Sequence, residues 1–257
     1  MRRRGLRLRI AGVAALAPLA AGCTQEGSAA GGAEIAEGPP ELVIFVYDRS
    51  TSIDDYQLDL ARELTNERIG QLTHNDRIAA LQLLQLSLEE PPKRWAQSVP
   101  RRQWQQLELA RDSITRARFL KDAQDYLVAF TDTANREHID GTDILSTLHD
   151  VAAELRAWPN REATLYIFSD MLQSNRTIDM EGLRKMPPPD WVATEKAGGT
   201  LPDLTGLCIV VVGARVDTEA AQRVKDFWEE YFEATGAILE DRNYMLRPVK
   251  LPSPACA

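Results

Sequence analysis

The stretch VIFVYDRSTSIDD, residues 43–55, constrains this chain more than any other. An apolar run rich in β-branched residues (Val43, Ile44, Phe45, Val46) stops abruptly at Asp48-Arg49-Ser50-Thr51-Ser52, and a helical pattern opens directly afterwards. A short apolar run bounded by turn residues is the signature of a buried strand. The polar cluster therefore sits on the turn between a strand and a helix. In an open α/β sheet, ligands bind in the crevice beyond the carboxyl ends of the strands. Asp48, Ser50 and Ser52, at alternating positions, put one carboxylate and two hydroxyls on the same side of an extended turn. Such an all-oxygen cluster suits a hard divalent cation such as Mg²⁺. A plainer role is also open to these residues, because Ser52-x-x-Asp55 and Thr51-x-x-Asp54 both fit a helix capping box.

The first 22 residues have five arginines and no acid, then the short apolar stretch IAGVAALAPLA and an exit of small residues. That pattern predicts a secretory signal too short to span a bilayer. Leu19-Ala20-Ala21-Gly22-Cys23 resembles a bacterial lipoprotein lipobox, although the leucine stands four rather than three positions before the cysteine. The resemblance implies that Cys23 becomes the lipidated amino terminus, anchoring the chain on the periplasmic or extracellular side of the cell envelope. Residues 23–40 are small and polar, predicting a flexible tether of roughly 20–25 Å root-mean-square span. Beyond the leader, 25 basic residues face 38 acidic ones. A net charge of −13 makes nucleic acid a poor partner.

From residue 41 to 240, strand and helix patterns alternate without internal repeats. Tyr56, Leu60 and Leu64 mark the core stripe of a first helix that ends near Gly70. IAALQLLQL follows as a second buried strand. The segment SLEEPPKRWAQSVP (87–100) is broken by proline and offers no convincing strand. Residues 101–130 predict a long amphipathic helix carrying Ile114, Ala117, Leu120, Ala123, Leu127 and Phe130 on one face. A polar loop ends at Asp140-Gly141-Thr142, before a helix carrying Ile144, Leu148, Ala152 and Leu155. ATLYIFSD is a strand ending on Asp170. Residues 171–206 show little periodicity, and a long loop of this kind beside a site tends to be functional. LCIVVVG is a fully buried strand. Asp217 or Thr218 then caps a helix carrying Val224, Phe227, Trp228 and Tyr231, which Gly236 terminates. AILE (237–240) completes the pattern as an edge strand, residues 241–257 form a C-terminal tail, and its end LPSPACA (251–257) is expected to be disordered. Alternation of this kind predicts a single doubly wound α/β domain with a mainly parallel sheet, interrupted by insertions at 87–130 and 171–206.

Asp48-x-Ser50-x-Ser52, Thr142 behind a glycine, and Asp170 at a strand end resemble the metal-ion-dependent adhesion site of the von Willebrand factor A family. That site combines D-x-S-x-S with a threonine from a second loop and an aspartate from a third. The resemblance covers roughly residues 41–240 and implies a bound Mg²⁺ or Mn²⁺. Ser50 and Ser52 would be direct ligands and Thr142 a direct or water-mediated one, with Asp48 and Asp170 acting largely through water. It further implies a protein partner whose Glu or Asp completes the coordination, in a binding module rather than an enzyme. The chain departs from the family pattern in lacking a recognisable edge hairpin strand after strand two, and in the length of the 101–130 helix.

Two other functions compete. One is a metal-dependent phosphoester hydrolase with Asp48 as phosphoryl acceptor. The haloacid dehalogenase pattern, however, places a second Asp where this chain has Ser50. No G-x-S-x-G, Walker or G-x-G-x-x-G motif occurs, and His74, His138 and His149 are isolated. The other is a metal-free structural lipoprotein of the envelope. Cys208 is most simply a buried small hydrophobe, while export leaves a Cys208–Cys256 disulfide open. Trp95 and Trp191 are candidates for an interaction surface.

Overall fold

A computed structural model describes residues 39–83, 93–101, 109–132, 141–252 and 255–256. The segment read as a signal, Cys23, nearly all of the expected tether, residues 84–86 of the expected second strand, residues 102–108 of the expected long helix, and His138 lie outside the described residues.

Within them the expected alternation is present. The order is β1 (Glu41–Tyr47), α1 (Asp55–Gln71), β2 (Arg77–Gln82), β3 (Arg94–Ser98), α2 (Leu109–Thr131), α3 (Ile144–Ala157), β4 (Glu162–Phe168), α4 (Trp191–Gly198), β5 (Cys208–Val212), α5 (Glu219–Thr235) and β6 (Ile238–Met245). Six strands form one sheet in the order β3-β2-β1-β4-β5-β6. All neighbours are parallel except β2 and β3. The fold is a doubly wound α/β domain.

Side chains of a strand alternate between faces, and here each face has its own core. Leu42, Ile44 and Val46 of β1 pack with β4, β5 and helices α3, α4 and α5. Val43, Phe45 and Tyr47 pack on the opposite side with α1 and α2. All six of these β1 side chains are at most 1% exposed. At about 1.5–3 kcal/mol for each fully buried large apolar side chain, β1 is the axis of the domain. The winding reverses between β1 and β4, so the loops after those two strands flank the crevice.

Several expectations need correction. An edge hairpin strand does follow β2: β3 runs antiparallel to it, with Ala79 opposite Ala96 and Leu81 opposite Arg94. Its short, half-exposed sequence RWAQS carries charge on the sheet edge, which protects such edges from aggregation and hides the strand from hydrophobic pattern. In α1 the buried residues are Leu58, Ala61, Leu64, Thr65 and Ile69, while Tyr56 is exposed. Ile114 and Ala117 of α2 also face outward. The inner face there instead carries Asp112, paired with His74, and Arg116, which donates to the Leu72 carbonyl. The 171–206 segment contains α4, started after Pro187-Pro188-Pro189 and ended by Gly199 in the left-handed region. Trp191 packs on Phe227 and Tyr231, and Trp95 stacks on Tyr126. Both tryptophans thus serve in packing.

The chain end is corrected most. β6 extends to Met245, because Leu239 pairs with Ile209 and Tyr244 with Val211, with the intervening residues bulging from the ladder. The tail returns to the α1–α2 face, where Leu251 is buried and Ala255 packs on the core. Cys256 is disulfide-bonded to Cys208, with their Cα atoms 5.8 Å apart. Buried Asn243 donates to the Ala255 carbonyl at 2.7 Å and holds the returning tail in place.

Candidate functional site

Asp48 continues β1 by donating its N–H to the Phe168 carbonyl at 2.9 Å, which places its side chain at the switch between β1 and β4. The carboxylate is fully buried. One oxygen accepts from the Ser50 N–H at 2.8 Å and the other from the Ser169 hydroxyl at 2.7 Å. The Thr142 hydroxyl is also hydrogen-bonded to it. The Ser50 and Ser52 hydroxyl oxygens are 3.0 Å apart, and the Ser52 hydroxyl is bonded to Asp170. All five side chains singled out in the sequence are therefore linked in one hydrogen-bonded cluster drawn from three loops.

The capping role suggested for this turn belongs to other residues. Asp54 caps α1 by accepting from the Gln57 N–H at 2.7 Å, and Gln57 returns the bond to the Asp54 N–H at 2.9 Å. That reciprocal box satisfies the helix start, leaving the hydroxyls of Ser50 and Ser52 to face the cluster.

Three residues that sequence reasoning passed over hold these loops together. Ser169 bridges the Asp48 carboxylate and the Met171 N–H, the latter at 3.0 Å. Gln173, fully buried, accepts from the N–H groups of Ile144 and Leu145 at 2.7 and 3.2 Å and donates to Asp143 at 2.9 Å. It thereby caps the start of α3 and ties the Thr142 loop to the Asp170 loop; the Ser174 N–H adds a bond to the Thr142 carbonyl at 2.8 Å. Arg49, at a position that carries no information in the motif, points inward. Its guanidinium donates to the carbonyls of Ala129 and Asp132 at the carboxyl end of α2, whose last turn has no basic residue. Met171 takes a left-handed φ of 65°, unusual for a side chain of its size, and its carbonyl is held by the Trp228 indole N–H at 2.8 Å. Gly213 (φ 111°) backs the site, since a Cβ there would lie 3.0 Å from the Ser169 carbonyl oxygen. A glycine ending a buried strand opposite the Asp170 strand is the one sequence signal that could have marked this wall.

The electrostatics are lopsided. Burial raises the pKa of Asp48, opposed by the hydrogen bonds from Ser50, Ser169 and Thr142. Burial and then the charge of Asp48 push Asp170 up to about 6, opposed by the bonds from Leu172 and Ser52. Among the described residues neither carboxylate has an ion pair, so no basic side chain there offsets their charge. The donor set of the cluster fits a small cation. Neighbouring oxygens around Mg²⁺ at about 2.1 Å lie roughly 3.0 Å apart in an octahedron, which is the Ser50–Ser52 hydroxyl spacing. Among the described residues no three His, Cys, Asp or Glu side chains come together as a metal-binding group; this cluster pairs two carboxylates with three hydroxyls instead.

No protein-family model matches the chain, and no curated protein is similar to it in sequence. Solved structures resemble it weakly. Proximal thread matrix protein 1 from the mussel byssus is 14% identical with a TM-score of 0.39, covering 79% of this chain and 44% of that one. The von Willebrand factor type A structure from Catenulispora acidiphila is 12% identical (TM-score 0.36, 78% of this chain and 44% of that one). Manganese-loaded TRAP protein of Plasmodium vivax is 11% identical (TM-score 0.32, 80% and 70%). The chain spans less than half the length of the first two. At these scores the similarity carries no functional weight, and the doubly wound fold rests on the sheet topology itself.

Proposed function

We propose that this chain is an exported, lipid-anchored module of von Willebrand A type that binds a protein partner through a divalent cation, Mg²⁺ or Mn²⁺. The observation that carries this reading is the convergence of Asp48, Ser50, Ser52, Thr142 and Asp170 at the switch point, with helix capping done elsewhere. The edge strand β3, whose absence would have been a departure from the family pattern, removes one objection. A cation held there supplies an electron-poor position for an anionic oxygen, so a partner's Glu or Asp completes the site. The chain's own residues set the geometry: Ser50 and Ser52 offer neutral oxygens, and Asp48 and Asp170 provide the compensating charge. Gln173 and Ser169 keep the three loops in register. Anchoring through Cys23 is part of the proposal, and the Cys208–Cys256 disulfide favours export, since such bonds persist in oxidising compartments. Neither histidine among the described residues stands at the cluster, so a hydrolase gains no support from them. His74 lies before β2 at the opposite end of the sheet, bonded to the Pro100 carbonyl, and His149 is exposed on α3.

The test is calorimetric titration of the full chain with Mg²⁺. A saturable heat is expected that disappears in the double variant Ser50→Ala plus Asp170→Ala while the circular dichroism spectrum stays that of wild type. Equal heats in both proteins would overturn the assignment.

A further inference from the structure

Beside Asp170, on the β5–β6 side, a recess of about 240 Å³ takes no part in the interactions described above. Leu172, Leu183, Ala221, Val224 and Tyr244 form its apolar walls, with Asp170 bordering it. Val224 and Tyr244 are otherwise core residues, 3% and 5% exposed, so part of the core remains reachable from the site. That volume has room for several waters or for one leucine- to phenylalanine-sized side chain.

The surroundings indicate what would occupy it. Arg215 and the capped first turn of α5, at Thr218 and Ala220, also border the recess. Asp217 already pairs with Arg215, and Glu219 already stands in that first turn, so the recess itself suits an apolar group and leaves a carboxylate to the cation. Three exposed large apolar side chains stand at the same end of the sheet: Tyr56 at the start of α1, Val216 between β5 and α5, and Leu246 just after β6. The Arg247 guanidinium lies over the Tyr56 ring at 4.7 Å. The recess and the proposed cation site share Asp170, at the end of the sheet where these three apolar side chains are exposed.

We infer that the recess beside Asp170 is a specificity pocket for a bulky aliphatic or aromatic side chain, adjacent to the carboxylate that the partner presents to the metal. This inference rests on the proposed cation site and adds the chemistry of the partner: an acidic residue with a large apolar neighbour. Small carboxylates with and without an apolar tail separate the two contributions, because the carboxylate seeks the cation and only the tail can use the pocket.

The experiment titrates the full chain, at saturating Mg²⁺, with acetate, isocaproate and hydrocinnamate, following amide chemical shifts. At about 0.8 kcal/mol per buried methylene and 1.4 kcal/mol per decade, the tailed acids should bind at least about tenfold more tightly than acetate. EDTA should abolish their binding. Ala221→Trp, on the partly exposed inner face of α5, should erase the preference; Ala221→Leu provides a smaller filling should the tryptophan variant fail to fold. If Mg²⁺ binds but all three acids bind alike, the pocket is overturned and the cation site stands. If Mg²⁺ itself does not bind, both fall. A preference that survives filling of the recess also overturns the inference.

Discussion

Asp170→Asn should stabilise the metal-free protein and at the same time abolish its response to metal. The side chain keeps its shape, and Asn Oδ1 can still accept from the Leu172 N–H, which is 3.0 Å from Asp170 in the wild type. What the substitution removes is a carboxylate whose pKa rises from 3.8 to about 6 on folding, through burial and the charge of Asp48. A raised folded-state pKa means that full stability is present below the unfolded value and is lost as pH rises through the folded one. Metal-free wild type should therefore weaken between about pH 4 and pH 6 and stay weaker above that range. Two units correspond to about 3 kcal/mol at about 1.4 kcal/mol each. Partial exposure of Asp170 reduces this to about 2 kcal/mol. For a domain of this size, 2 kcal/mol is roughly 4–8 °C in Tm. In EDTA near pH 7 the variant should melt higher than wild type by about that amount, and at about pH 4 the two should coincide. Adding Mg²⁺ near pH 7 should raise the wild-type Tm and leave the variant unmoved. Differential scanning calorimetry with and without EDTA at both pH values reads all four cases. A variant that melts lower than wild type in EDTA, or gains as much from Mg²⁺, would refute the account of Asp170 as a buried carboxylate beside a second one.

Gln173→Leu leaves the N–H groups of Ile144 and Leu145 without their buried acceptor. At about 1–3 kcal/mol per unsatisfied buried group, urea unfolding should show a loss of about 2–4 kcal/mol, and Mg²⁺ affinity should fall. Arg49→Met removes the guanidinium from the end of α2. It should cost about 1–3 kcal/mol and speed amide exchange in the last turn of that helix, while exchange in β5 changes far less. Reducing or replacing Cys208–Cys256, with 48 residues of separation, should lower stability by about 4 kcal/mol on the loop-entropy account. Denaturation of oxidised chain against the Cys256→Ser variant measures it. Gly213→Ala, with a Cβ forced against the Ser169 carbonyl at a positive φ, should destabilise the fold by at least about 1–2 kcal/mol and loosen the Asp48 loop, visible as faster exchange of the Ser169 amide.

What could be read from the chain alone is what local chemistry encodes. The cores of β1, β2, β4 and β5 are runs of apolar and β-branched residues because both faces of those strands are covered. The faces of α3 and α5 show the helical period because one side is buried. The five oxygen-bearing residues stand at strand and loop ends, where an α/β sheet puts its crevice, and their D-x-S-x-S spacing is itself a local pattern. The contacts that turn those residues into a site are not local. Ser169 meets Asp48 across 121 positions and Gln173 meets Ile144 across 29. Arg49 reaches the end of α2 across 80 or more. No periodicity marks them, because each depends on which elements the sheet order makes neighbours. Edge position explains why β3 carries no strand signal and why β6 runs beyond the expected 237–240. β3 and β6 are covered incompletely, so polar residues are tolerated there and the hydrophobic signal fades. Cys208 is a strand residue by pattern and a disulfide partner only because the tail folds back over the domain. The recess beside Asp170 is a product of packing alone, formed where α5 and the excursion after β4 meet over β6. Burial leaves its trace in the order of residues, whereas proximity is decided only when the chain closes on itself.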